Sequence, residues 1–434
     1  MEDAREAAYR FLSTPGKPAA TQEGPASPLA AELGYGVLRH RSRLDWIIGQ
    51  ATDRSTDSLT PEVLTILRLG VYQILFTGSV PPYAAVSESV NLAGRHAPRA
   101  KGFVNWALRR IDPSWAERPG QADITDPVKR LATSFSFPAW MAGRWQKRFG
   151  EEETRRLMEA MNTFPPLDLR VNTLRSTPEE AARELSEAGG DVTRGAYATA
   201  SLHLNGLRRV TEFPAFLEGK IYIQDQSSQL AALALAPRPG ETVLDACAGV
   251  GGKSSHLAEI MEDKGEITAV DPDAGRLRLL KENLHRLGIT SVTAVQEDLL
   301  SPSFSPDRLF DRILVDAPCS GLGIIRRHPD LKWSKKESDV PRLASLQLKL
   351  LRRAASLLLP GGTLAYSTCT TEPEENQKVV ETFLRKEDGF RAVSPPPGCI
   401  GKMEDLLTPE GYVLSLPHRH GMNGGFVALL LRSS

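Results

Sequence analysis

Two of the four cysteines stand just past apolar runs that read as strands: Cys319 in RILVDAPCSGLG (312–323) and Cys369 in LAYSTCTTEPEEN (364–376). Either thiol alone reads as packing, since free cysteine is among the most buried residue types. Two thiols at strand ends beside an acid, Asp316, have a chemical use. Carbon 5 of a pyrimidine is a poor nucleophile, and adding a thiolate to carbon 6 converts the ring into an enolate-like species that can attack a methyl sulfonium. Asp316 would then hydrogen-bond the base at its amino group and ring nitrogen. A second acid–base group must remove the proton from carbon 5 so that the thiolate can leave. Sequence spacing does not say which thiol attacks. Cys247 and Cys399 are left for cofactor contact and for packing. No C-x-x-C spacing occurs, and His418 and His420 in PHRHG lack a third ligand, so neither a disulfide framework nor a metal is expected.

Such chemistry needs a methyl donor, and VLDACAGVGGKSSHL (243–257) reads as strand, glycine-rich turn and helix start. The dinucleotide fingerprint fails because its third glycine falls on Ser254, and the triphosphate loop fails because its first glycine falls on Cys247. S-adenosylmethionine carries adenosine and a sulfonium but no phosphate. Gly249, Gly251 and Gly252 let the backbone approach it closely. Asp271, ending the next strand, is placed for the ribose hydroxyls, and Asp298, after the third strand, for the adenine amino group. A nucleoside triphosphatase is the alternative in a second enzyme class, and a non-catalytic RNA-binding factor is the third.

Directly after Cys319 comes IIRRHPDLKWSKKE, with Arg326, Arg327, His328 and Lys332 around Trp333. A basic run with an aromatic suits phosphates and a stacked base of single-stranded nucleic acid, so these four are expected to contact substrate. Arg95, His96, Arg99, Lys101, Arg109 and Arg110 form a second basic group, read equally well as solvated helix surface.

Elements must hold these residues in place. Residues 1–125 read as helical: TPEVLTILRLGVYQILF opens with Thr60 as N-cap and Pro61, then puts Leu64, Leu67, Val71, Ile74 and Leu75 on one face. A linker, DPSWAERPGQADITDP, separates them from a helical stretch and a small α+β unit (126–215) in which LDLRVN reads as a strand and TPEE as a capping box. From 216 to 434 strands and helices alternate, through TVLDACA, EITAVD, SVTAVQ, RILVD and TLAYSTC, which predicts a largely parallel, doubly wound sheet. Ligands on such sheets bind at the carboxyl ends of the strands, where both cysteines fall. Lys plus Arg and Asp plus Glu stand at 53 each, so any nucleic-acid surface must be a local patch. No apolar run approaches the ~18 residues of a membrane span, and a cytoplasmic, monomeric protein is expected.

DACAGVGGKSSHLAE, DAPCSGLGIIRRHPDLKW and YSTCTTEPEEN resemble the cofactor loop, Pro-Cys motif and Thr-Cys motif of the RNA cytosine-5 methyltransferases. LRLGVYQILF and PPYAAVSESVNLAGRHAPRAKGFVNWALRRI resemble the NusB-like RNA-binding domain, a combination similar to the bacterial Sun/Fmu type. The resemblance implies an all-α NusB-like domain, a small α+β unit and a Rossmann-like methyltransferase domain. It implies that Cys369 attacks carbon 6 and Cys319 assists product release. It also implies that Cys247, Ala248, Gly249, Val250, Gly251, Gly252 and Lys253, with Asp271, Asp298 and Asp316, contact S-adenosylmethionine or the base beside it. The substrate implied is a cytidine of small-subunit (16S) ribosomal RNA, with another RNA such as tRNA as the alternative. Because a duplex hides carbons 5 and 6, the target base is expected to be single-stranded or flipped out. The chain departs from the family pattern at Gly249-Val250, where Ala-Pro is usual, and at Asn423-Gly424-Gly425-Phe426, where Asp-Gly-Phe-Phe is usual.

Overall fold

A computed structural model describes residues 3–14, 27–78, 80–117, 123–206 and 209–434. Part of the expected linker, 118–122, lies outside them. The chain divides into two compact units, Met1–Thr163 with Ile325–Glu337, and Phe164–Ile324 with Ser338–Ser434. Position 125 is therefore not a division between units: helices Pro127–Phe135, Ala139–Phe149 and Glu151–Met161 group with the N-terminal helices. Among the described residues no helix is long and apolar enough to cross a membrane.

The first unit is helical. Helix Pro61–Phe76 was expected to bury one face, but Val63, Ile66, Leu67, Leu69, Val71 and Tyr72 are all buried, while Leu64, Ile74 and Leu75 are partly so. A helix apolar most of the way round is a central one. Helix Pro28–Thr52 lies so close to it that a Cβ on Gly36 would fall 2.1 Å from the Tyr72 ring. Thr60 is the N-cap by position, with no side-chain cap bond, and Pro61 takes the first helical turn.

The second unit holds two sheets. The smaller comprises β1 (Leu167–Val171), β2 (Asp191–Arg194), β3 (Ser201–Asn205) and β4 (Ile221–Ile223), antiparallel in the order β2-β3-β1-β4. The predicted capping box starts its helix, Pro178–Glu187: Thr177 Oγ1 accepts from the Glu180 N–H and the Glu180 carboxylate from the Thr177 N–H.

The larger sheet comprises β5 (Thr242–Asp245), β6 (Glu266–Val270), β7 (Val292–Val295), β8 (Phe310–Asp316), β9 (Leu358–Thr368), β10 (Phe390–Val393), β11 (Val413–Ser415) and β12 (Gly425–Arg432). Its order is β10-β12-β9-β8-β5-β6-β7, with β11 paired to β12. The first five strands are parallel, as predicted, and β12 runs antiparallel to β9. Cores cover both faces. Ile313 and Val315 point into one and Leu314 into the other, which is why these strands read as unbroken apolar runs. Sequence successors β5 and β6 lie side by side, whereas β8 sits on the other flank of β5. The strand order therefore reverses between β5 and β8, and their carboxyl ends open a crevice there.

Candidate active site

The loop leaving β5 turns through Gly249 (φ 56°) and Gly251 (φ 85°) before helix Gly252–Ile260 begins. Gly251 has no alternative, because a Cβ there would lie 2.7 Å from the Leu280 side chain and the left-handed backbone is strained for other residues. The Gly249 N–H donates to Asp271 Oδ2 (3.0 Å) and the Asp273 N–H to Oδ1 (2.9 Å), which aims the buried Asp271 carboxylate at the loop. Asp298, exposed after β7, accepts from the Leu300 N–H at 2.9 Å. Burial pushes the Cys247 thiol up, and the fields of Asp245, Asp316, Asp271 and Asp298 add to it. All four acids therefore act on one point of the loop.

Lys253 Nζ donates to Asp316 Oδ2 at 2.5 Å. Burial works against the ammonium, but Asp316, Cys369 and Asp245 outweigh it and hold its pKa above the ordinary lysine value. Ser254, fully buried, donates to Asp245 Oδ2 at 2.7 Å, and Asp245 Oδ1 has no hydrogen-bond partner. Burial, opposed by the Ser254 bond and aided by the Asp316 field, pushes Asp245 up to about 6. The lysine and serine of a triphosphate loop are thus committed to carboxylates. The surroundings suit a cation with hydroxyls and disfavour a polyphosphate.

The two thiols meet. Cys319, past the end of β8, and Cys369, past the end of the adjacent β9, place their sulfurs 3.2 Å apart, and the Cys369 N–H points at the Cys319 sulfur (3.4 Å). The hydrogen bond to Cys369 and then burial push the Cys319 thiol well above its usual range. Asp316, Lys253 and Cys369 line one small cavity together with Ser227 and Ser228.

These motifs also mark three parts of known families. Residues 232–431 match the family model "16S rRNA methyltransferase RsmB/F", residues 4–113 the NusB family, and residues 137–211 the RsmF/B-like ferredoxin-like domain. A Synechocystis sp. protein, "Probable ribosomal RNA small subunit methyltransferase B", is 38% identical over 95% of this chain and 94% of its own. The chain belongs to the 16S rRNA methyltransferase RsmB/F family. An Escherichia coli "Ribosomal RNA small subunit methyltransferase B" is 38% identical over 82% of each chain. The crystal structure of PH0851 has a TM-score of 0.79 at 30% identity, covering 93% of this chain and 91% of that one. NSun6 from Pyrococcus horikoshii, solved with SFG, has a TM-score of 0.60 at 25% identity, covering 67% and 97%. The chain therefore combines a NusB N-terminal domain, a ferredoxin-like middle domain and a Rossmann-like methyltransferase fold.

Not every residue expected at an RsmB/F site is brought there. Lys332 is fully buried in the helical unit: its ammonium donates to Arg39 O (3.0 Å), Ser136 O (3.0 Å) and Asn162 Oδ1 (2.6 Å), 3.7 Å from the Phe137 ring centroid. Burial and the nearby Arg39 push it well below the ordinary lysine value. Arg326 is buried too, donating to Thr163 Oγ1 (3.2 Å), and the Trp333 indole donates to Leu38 O (2.7 Å). The expectation that Lys332 and Arg326 contact substrate is corrected: both side chains are buried and held by acceptors of the helical unit, and neither can reach a phosphate without leaving that core. Arg327 and His328 are half-buried beside them. In the second basic group, Arg95 pairs with Asp3, His96 with Glu6 while stacking on Tyr9, and Arg110 donates to Ala51 O, whereas Arg99 and Lys101 are exposed.

Sequence reasoning missed the supports of the RsmB/F site. Arg170 on β1, fully buried, donates to Gly252 O (2.6 Å), Ser255 Oγ (2.8 Å) and Glu259 Oε1 (2.9 Å), so the smaller sheet clamps the first turn of the helix after the glycine loop. Glu375, read only as part of an acidic turn, bonds Ser320 and Gln347 between the two cysteine loops. The signal was faint: a glutamine on an apolar helix face. Gly424, within the altered C-terminal motif, is needed where it is, since a Cβ there would lie 2.7 Å from Thr371 and 3.0 Å from the Gly323 Cα. Cys399 packs against a core. The His420 imidazole accepts from the Leu416 N–H.

Proposed function

We propose that this protein transfers a methyl group from S-adenosylmethionine to carbon 5 of a cytidine in small-subunit ribosomal RNA, through a covalent bond from Cys369 to carbon 6. The observation that carries the reading is the 3.2 Å approach of Cys319 to Cys369, which lines one cavity with Asp316 and Lys253. The residues around the glycine loop fit the cofactor. Asp271 offers the ribose hydroxyls an aimed carboxylate, Asp298 an acceptor for the adenine amine, and Cys247 to Lys253 a backbone open to close approach. When bound, S-adenosylmethionine supplies an electrophilic methyl group.

The chain's own residues do the rest. The Lys253 ammonium lines the same cavity as Cys369, whose thiolate adds to carbon 6. Asp316 accepts from the amino group of the base and, once the ring nitrogen is protonated, from its N–H, stabilising the ring as carbon 5 gains electron density. Cys319, its sulfur 3.2 Å from that of Cys369, stands beside the adduct. Having given up its own proton to water, it accepts the proton from carbon 5, the ring double bond re-forms, and the Cys369 thiolate leaves. Carbons 5 and 6 must be accessible from the ring face, which requires an unpaired or flipped-out cytidine.

Nucleoside mass spectrometry of unmodified small-subunit RNA and of unmodified tRNA, each incubated separately with the protein and S-adenosylmethionine, tests this. New 5-methylcytosine in the small-subunit RNA is expected. A methylated purine or a methyl on the cytosine amino group would refute the carbon-5 chemistry, and modification of tRNA alone would refute the substrate.

A further inference from the structure

Glu375 lies six residues past Cys369 with its side chain fully buried. Its carboxylate accepts from Ser320 Oγ (2.5 Å), the Ser320 N–H (2.8 Å) and Gln347 Nε2 (3.0 Å). The same Gln347 amide donates to Pro318 O at 3.0 Å. The residues on either side of Cys319 are thus held by one carboxylate and its amide partner. On the other loop, Thr370, next to Cys369, shares the Ser320 hydroxyl (2.8 Å), and the Tyr366 hydroxyl of β9 donates to the Glu375 carbonyl (2.5 Å). An apolar residue would fill this space without the desolvation penalty of a buried acid, so packing does not account for the carboxylate. What it does is join the two cysteine loops.

We infer that Glu375 is a positioning residue that holds Cys319 against carbon 5, next to the carbon attacked by Cys369, and so governs release of the methylated product. This rests on the cytosine-5 chemistry proposed above. Glu375 touches neither sulfur and acts through Ser320 and Gln347. Its loss should let Cys369 attack while Cys319, displaced, removes the carbon-5 proton slowly.

The test compares full-length wild type, Cys319→Ala, Glu375→Gln and Ser320→Ala on unmodified small-subunit RNA with S-adenosylmethionine. It measures covalent RNA–protein adduct and 5-methylcytosine together, with KM and melting temperature alongside. Glu375→Gln keeps the shape but turns one acceptor into a donor facing donors. Its adduct-to-product ratio should rise about tenfold, less than the ~100-fold that a 1 Å misplacement can cost, with KM for RNA little changed. Ser320→Ala should move the ratio the same way by a smaller factor. An enzyme that is merely less stable loses adduct and product in proportion, so the ratio separates positioning from stability. An unchanged ratio in folded Glu375→Gln overturns the inference; if that variant does not fold, an unchanged ratio in Ser320→Ala does so. Absence of adduct from Cys319→Ala would instead refute the underlying chemistry.

Discussion

At the scale of single residues, the site is a set of charges that constrain one another. Asp245 is fully buried at the head of the glycine loop with a pKa near 6, against 3.8 for a free side chain. In the unfolded chain it releases its proton near pH 3.8, while the folded protein holds that proton to about pH 6. The folded state therefore binds more protons across this window, and stability falls as pH rises through it, by about 3 kcal/mol in all. Compared with Asp245→Asn in denaturant unfolding, the wild type should lose about this much more stability between pH 4 and pH 7. In Asp245→Asn, which keeps an acceptor for Ser254, that contribution should vanish; an unchanged difference between the two pH values would show that Asp245 is not its source. The lysine beside it has the opposite character. Lys253 is charged and tied to Asp316, so Lys253→Met should leave Asp316 without its cation and slow adduct formation, read as the single-turnover rate at saturating RNA.

Elements put these charges in place, and here the sequence was legible to an uneven degree. The five parallel strands and the glycine turn could be read because each apolar run ends in a clear loop signal, and the capping box at Thr177 because its two partners are three residues apart. Strands β10 to β12 were not foreseen. GFVALLLR in β12 is a continuous apolar run that periodicity cannot tell from a buried helix, and only its pairing between β9 and β10 makes it a strand. The basic run after Cys319 misled for a related reason. Charge pattern cannot reveal that Arg39, Ser136 and Asn162 supply acceptors 170 to 293 residues away in sequence. Arg170 escaped notice likewise, because its partner Glu259 lies 89 residues on. Arg170→Met leaves Glu259 buried without its cation, which should cost about 3–5 kcal/mol in urea unfolding. The double variant with Glu259→Leu should recover most of that, and no recovery would mean that Arg170 acts through the Gly252 carbonyl and Ser255 instead.

At the scale of the whole molecule, the chain is interleaved: thirteen residues after the Pro-Cys loop, Ile325–Glu337, belong to the helical unit. That unit's core is therefore completed by a segment from the far half of the sequence. Lys332→Met should leave three acceptors dry at about 1–3 kcal/mol each and lower the unfolding midpoint of the helical unit. An unchanged midpoint would show that the segment is not needed for its stability. The central claim of the proposed function is that Cys369 forms the bond to the base and Cys319, 3.2 Å from it, lets it go. The measurement that tests it most directly is a denaturing gel of wild type, Cys319→Ala and Cys369→Ala after incubation with unmodified small-subunit RNA and S-adenosylmethionine. Cys319→Ala should accumulate a covalent RNA–protein band, with turnover down by about 10²–10⁴-fold, and Cys369→Ala should give none. A band from Cys369→Ala and none from Cys319→Ala would exchange the two roles, and no band from either would contradict the covalent mechanism itself.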